Sequence, residues 1–181
     1  MSLIGQSLLQ PEVGWKRYDD TDKNIEYLNS EYISGGYYNG SETAIYPDGY
    51  ARFNFTGDKL RVISYMSHTQ SILNLYIDGN YIGEYDAYSS SNKTQVVAFD
   101  KQNLGNREHY AEIMYAGNNT WIGIDAIDID ENGELLPYRK ISYLSLIKYN
   151  NKMLTLSENN ELTDTGLSEP LTKTDFEDYG I

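Results

Sequence analysis

SILNLYIDGNYIGEYDA, residues 71–87, decides the fold class. Leu73, Leu75 and Ile77 alternate with Asn74 and Tyr76, the period-two pattern of a strand with one buried and one wet face. Asp78 and Gly79 follow, a pair that accepts the positive φ angles of a two-residue hairpin turn, and residues 81–86 return. The stretch therefore reads as an antiparallel hairpin.

Upstream, GYARFNFTGDKLRVISY (residues 49–65) sets Ala51, Phe53 and Phe55 on one face and Tyr50, Arg52 and Asn54 on the other. A turn at residues 56–58 precedes a strand carrying Leu60, Val62 and Ile63, and Pro47, Asp48 and Gly49 read as a turn before the pair. Downstream, TQVVAFD and HYAEIMYA are strands joined by KQNLGNRE, GNNT is a turn, and WIGIDAIDI is one closing strand. GWKRYDD and NIEYLN are short strands near the amino end, and SGGYYNGS is a loop. About ten short strands at this spacing predict an all-β protein, an antiparallel β-sandwich over residues 11–136. Residues 137–181 read as a small C-terminal β-hairpin appendage around Asn150 and Asn151, a polar tail and one helical turn near residues 175–179, continuing into a longer parent protein. Met1 to Leu3 are left out of the fold reading.

Lys and Arg number 14 against 27 Asp and Glu, a formal charge of −13, and the five arginines are scattered rather than gathered. Such a field repels phosphate backbones and anionic membrane surfaces, so nucleic acid is not an expected partner. No apolar run is long enough for membrane insertion, and the amino end has no signal-peptide pattern. Without cysteine, neither disulfides nor thiolate chemistry are available. Tyrosine is in excess, 18 residues against 4 Phe and 2 Trp. That suits half-buried strand faces, and equally a surface that meets polar ligands.

In this order, WKRYDDTD, SGGYYNGSETAIYPDGYARFNFTGDKLRVIS, LNLYIDGNYIGEYD and WIGIDAIDI resemble the galactose-binding-like jelly-roll domains of bacterial surface proteins, glycoside-active enzymes and phage tail proteins. The resemblance implies two antiparallel sheets and a non-catalytic carbohydrate-binding module. Leu171, Thr172, Asp175, Phe176, Tyr179 and Gly180 are similar to a signature that ends small hairpin modules in tail proteins of phages of low-GC Gram-positive bacteria. This second resemblance implies a virion tail, prophage or cell-surface protein, extracellular in location, with protein partners or a homo-oligomer in the parent.

Reversal of successive strands gathers MSHTQ, YSSSNK, GNNTW and YPDG at one end of the sandwich, and TGD, DGN and KQNLGN at the other. The first group holds the candidate ligand-binding residues Tyr46, Asp48, Tyr65, His68, Tyr88, Asn92, Asn118, Asn119 and Trp121, the mixture of rings, amides and carboxylates that sugars require. Trp121 opens a strand and suits core packing as well as a sugar platform, while Asn118 and Asn119 suit a turn. Tyr37 and Tyr38 lie in a loop with no assigned end.

Asp19, Asp20 and Asp22 in RYDDTDKN form a candidate site for one structural calcium, which the jelly-roll resemblance also implies. Asp128, Asp130, Asn132 and Gly133 match the start of a calcium loop, but its twelfth place is Arg139 rather than a bidentate glutamate. Alternation instead predicts that Asp125 is buried and hydrogen-bonded, and that Asp128 faces the other way. No nucleophile, zinc, phosphate-loop or dinucleotide motif is present, so the chain reads as a binder and not an enzyme. The alternatives are an assembly module of a phage tail with no sugar ligand of its own, and an accessory domain of a secreted hydrolase.

Overall fold

Strands β1 (Trp15–Asp19), β2 (Glu26–Ser34), β3 (Ser41–Gly57), β4 (Leu60–Met66), β5 (Ile72–Ile77), β6 (Asn80–Asp86), β7 (Lys93–Lys101), β8 (Arg107–Ala116), β9 (Ile122–Ile124), β10 (Ala126–Asp130) and β11 (Leu135–Leu136) build an antiparallel sandwich. The computed structural model describes residues 3–141, with the backbone of the later strands β12 (Leu146–Tyr149), β13 (Lys152–Leu156) and β14 (Leu162–Asp164). One sheet runs β1-β10-β4-β7; the other runs β11-β3-β8-β5-β6, with β2 and β9 also on β3.

The hairpin forms as its alternation dictates: Leu73, Leu75 and Ile77 are buried, and Asp78 and Gly79 turn with φ of 52° and 76°. Ala51, Phe53 and Phe55 of β3 meet them in one core with Leu60 and Val62 of β4 and Ile127 and Ile129 of β10. Burial of these side chains from both inner faces is the main favourable term holding the sheets together, at roughly 1.5–3 kcal/mol for each large one.

Three details depart from the sequence reading. First, Pro47, Asp48 and Gly49 do not end a strand but form a bulge inside β3, where the pairing with β2 jumps from Leu28–Tyr50 to Ser30–Ile45 and Asp48 takes φ of 65°. A bulge absorbs the turn-forming residues without breaking the ladder, so this stretch is not an end loop. Gly49 is required there, because a Cβ would strike Leu28 O at 2.6 Å. Second, the closing strand is two strands. β9 pairs with β3, β10 pairs with β1 and β4, and the chain changes sheets at Asp125. Third, Leu3 belongs to the body: Leu3, Leu8 and Tyr38 cover Ile63, Val97 and Ala126, which point away from the main core. The covering segment is tied to β7 by Gly5 N–H to Val97 O (2.9 Å), Val97 N–H to Gln6 O (3.0 Å) and Leu8 N–H to Gln95 O (2.7 Å).

The first compact unit runs to Arg139 and the second begins at Lys140. Tyr138 and Arg139 belong to the first through bonds to Glu112 and Glu108. In the second, β12 and β13 pair antiparallel, Tyr149 opposite Lys152, as the expected hairpin requires, and β14 adds a third strand; Asn150 and Asn151 lie outside the described residues. The helical turn at 175–179 and the tail-module signature lie outside the described residues.

Candidate binding site

At the corner where the sheets exchange strands, the start of β3 lies beside β9, with Ala44 opposite Gly123, and β9 lies beside the end of β4, whose Ser64 hydroxyl donates to Gly123 O at 2.7 Å. Alternation along β3 sends Ile45 into the core and Glu42 to the other face. The Glu42 side chain lies against Gly123, where an added Cβ would collide with Glu42 Oε2 and sit 3.3 Å from Trp121 Cζ3. Only glycine leaves room for a carboxyl and an indole on this spot. Tyr65 stacks on Trp121 with centroids 6.2 Å apart and planes at 18°, and Tyr37 stands edge-on to Tyr65 at 5.4 Å. Gln70 Oε1 accepts the Gly123 N–H at 2.9 Å.

The polar atoms of this corner are short of partners. Glu42, Gln70 and Asp125 are fully buried. Among the described residues neither Glu42 oxygen, nor Gln70 Nε2, nor Asp125 Oδ2 has a hydrogen bond. Burial pushes the Glu42 carboxyl up to about 8; the Tyr37 hydroxyl nearby opposes this without reaching full hydrogen-bond geometry, and the Asp125 and Asp20 charges add to it. Burial likewise raises Asp125 to about 6, against the Tyr38 N–H that donates to its Oδ1 at 2.8 Å. The Tyr37 phenol is raised by burial and by its acidic neighbour Glu42. Unsatisfied buried polar atoms are rare in native folds, and this corner holds four of them on three residues.

Of the nine sequence candidates, the fold brings several to this end. Asn119 donates to His68 O (3.0 Å) and Gln70 O (2.8 Å), while Ser67 bridges Tyr88 and Gln70 bridges Trp121. The loops around 67–70, 87–92 and 117–121 are therefore neighbours, as strand reversal requires. Tyr65 and Trp121 form the aromatic row; Asn119 is a loop brace whose own amide is spent on backbone. His68, Tyr88, Asn92 and Asn118 are exposed around it. Tyr46 lies one step past the Ile45–Ile122 pair and donates to Glu31 at 2.8 Å, whereas Asp48 sits on the bulge. Glu42 and Gln70 escaped the sequence reading. Nothing local marks Glu42, which in ETAIY takes the place of a polar residue on a wet strand face.

The carboxylates read as a calcium loop have separate employments. Asp20 is buried and accepts from Ser41 (2.9 Å) and Thr43 (2.8 Å), Asp22 accepts the Asn24 N–H (2.9 Å), and Asp19 accepts from Thr21. Among the described residues no group of three or more His, Asp or Glu is placed to hold a metal ion. In the acidic turn, Asp128 faces away from the core into a bidentate pair with Arg17 (2.6 and 2.8 Å), and Asp130 accepts the Asp58 N–H and pairs with Lys59 at 3.2 Å. At the opposite end of the sandwich Leu104 N–H donates to Asp58 O, and His109 lies between Asp78 (2.7 Å) and Gly105 O (2.9 Å).

No protein-family model matches the chain, and no curated protein matches it in sequence. Solved structures do match in fold. A family two carbohydrate esterase from Cellvibrio japonicus aligns at TM-score 0.53 and 14% identity, over 71% of this chain and 37% of the esterase. A salicylyl-acyltransferase from a tetracycline biosynthetic pathway aligns at 0.52 and 8%, over 72% of this chain and 44% of its own. A Paenibacillus cycloisomaltooligosaccharide glucanotransferase, complexed with cycloisomaltoheptaose, aligns at 0.50 and 18%, over 69% and 19%. The chain spans less than half the length of each, and at these identities the likeness is one of fold: an all-β jelly-roll-like sandwich that recurs as one part of larger enzymes.

Proposed function

We propose that the chain is a non-catalytic carbohydrate-binding module that takes a sugar of a cell-surface or extracellular glycan at the Tyr37–Tyr65–Trp121 corner. The observation that carries this reading is the juxtaposition of three aromatic rings with the unpartnered polar atoms of Glu42 and Gln70. Aromatic faces suit the apolar side of a pyranose, and its hydroxyls both donate and accept, so they can complete a carboxyl and an amide together. The exposed His68, Tyr88 and Asn118 then form a polar rim.

Calorimetric titration of the full chain with a panel of bacterial-wall and plant saccharides tests this. At least one saccharide is expected to bind, with Trp121→Ala weakening it by about tenfold, roughly 1.4 kcal/mol, and with no product released on prolonged incubation. Silence toward the whole panel would sink the reading and favour the tail-assembly alternative, which requires a defined oligomer of the parent. A second reading, a sugar-binding accessory domain of a larger carbohydrate-active enzyme, draws support from the partial coverage of longer enzymes such as the esterase. It predicts a catalytic domain in the same reading frame.

A further inference from the structure

Resting on the carbohydrate reading, we infer that the corner selects a saccharide bearing a free, protonated amine, such as the glucosamine units of a de-N-acetylated glycan, and that Glu42 is its counter-ion.

Three features of the corner converge on a cation. Glu42 is fully buried, neither of its oxygens has a hydrogen bond among the described residues, and no Arg or Lys there forms an ion pair with it. A buried carboxyl is ordinarily either protonated or paired, because an isolated carboxylate forfeits its hydration with nothing in return, and a docked cation supplies the pairing. Asp20 and Asp125, also buried, add negative potential at Glu42. Trp121 shares the Gly123 surface with the Glu42 carboxyl and is backed by Tyr65 and Tyr37, so a cation at the carboxyl meets ring faces and edges of the kind that bind ammonium groups.

A metal ion is the poorer occupant. A hard cation needs about six to eight oxygens, and no metal-holding group of acids is present among the described residues. An ammonium needs one carboxylate and aromatic carbon. A neutral hydroxyl would hydrogen-bond to the protonated Glu42 but leave the negative potential of Asp20 and Asp125 unanswered, and an acidic sugar would be repelled by it. The formal charge of −13 also draws a polyamine-bearing glycan from a distance.

The proton balance follows. In the free site the desolvated Glu42 carboxyl holds its proton at neutral pH. When the ammonium takes the place of the covering Tyr37 hydroxyl, the carboxyl gives that proton to solvent and the ligand N–H donates to the carboxylate, so binding releases up to one proton per amine captured.

The test titrates the full chain with glucosamine oligosaccharides, N-acetylglucosamine oligosaccharides and neutral glucose oligosaccharides of equal length, in buffers of differing ionisation enthalpy at pH 6–8. The glucosamine series is expected to bind at least about tenfold tighter than the others and to release a proton. Glu42→Gln, nearly isosteric, is expected to abolish both the preference and the release while keeping the parent's circular dichroism spectrum. Equal binding of all three series, or an amine preference that Glu42→Gln leaves intact, overturns the role of Glu42 and leaves the carbohydrate reading standing. Binding by none of the three, with silence across the wider panel as well, overturns both.

Discussion

Glu42 shows how one residue can be invisible in a sequence and dominant in a fold. In ETAIY it looks like any polar residue on an exposed strand face, and only the covering loop with Tyr37 and the neighbouring β9 make it buried. Its consequence is a pH dependence of stability. The carboxyl titrates near 4.5 when unfolded and near 8 when folded, so between those values the folded state holds a proton that the unfolded chain has lost. The stabilisation is thus complete below about pH 4.5 and is lost as pH rises through about 8. Asp125, raised from 3.8 to about 6, acts in the same direction over its lower window. Glu42→Gln cannot ionise and should escape that loss: urea unfolding should find it level with the parent at pH 4.5 and more stable by on the order of 1–3 kcal/mol at pH 9. That Tyr65 and Trp121 lie at one end of the sandwich was legible, by contrast, because strand reversal brings the loops after the one and before the other together.

Among the elements, the β5–β6 hairpin was the most legible, since both its alternation and its turn are local properties. Its turn has a second task that no local rule contains. Asp78 Oδ1 accepts the Tyr110 N–H at 3.1 Å, and Oδ2 lies 2.7 Å from His109 Nδ1 and 2.8 Å from Arg107 Nη2, fastening the hairpin to β8. Burial works to raise the Asp78 carboxyl, but His109 and the Tyr110 amide hold it below the usual range, so its contribution is present above about pH 3.8 and is lost as acid protonates it. Asp78→Ala removes these bonds and puts alanine, without the short polar side chain that supports the left-handed region, at φ of 52°. It should cost about 2–4 kcal/mol in denaturant unfolding, with Asp78→Asn, which tolerates that φ, costing less. The β3 bulge and the division of the closing strand were misread for one reason. Turn-forming residues and an alternating run mark a change of direction or a face, and neither says which strand will pair with the segment.

For the whole molecule, the outer face of the β1-β10-β4-β7 sheet is closed by the amino-terminal segment, with Arg17 as the joint. Its side chain is 1% exposed, its fork meets Asp128, whose side chain is 0% exposed, and its Nη1 donates to Leu8 O at 2.8 Å. Arg17→Ala leaves a buried charge without its partner and should destabilise the sandwich by about 3–5 kcal/mol in chemical unfolding, whereas Arg17→Met combined with Asp128→Leu should recover most of the loss. Composition and alternation by themselves determined the all-β class, the hairpin at 72–86, the antiparallel pairing of 146–149 with 152–156, the core faces of β3 and β5, and the shared end of the loops around 67–70, 87–92 and 117–121, because each follows from a period-two pattern and the reversal of consecutive strands. Only the tertiary structure decided that Asp125 marks a change of sheet, that residues 3–8 cover a second apolar face, and that Glu42, Gln70, Tyr37 and Trp121 meet over Gly123. Those residues are distant along the chain, and burial is a property of what covers a side chain, which no stretch of sequence contains by itself.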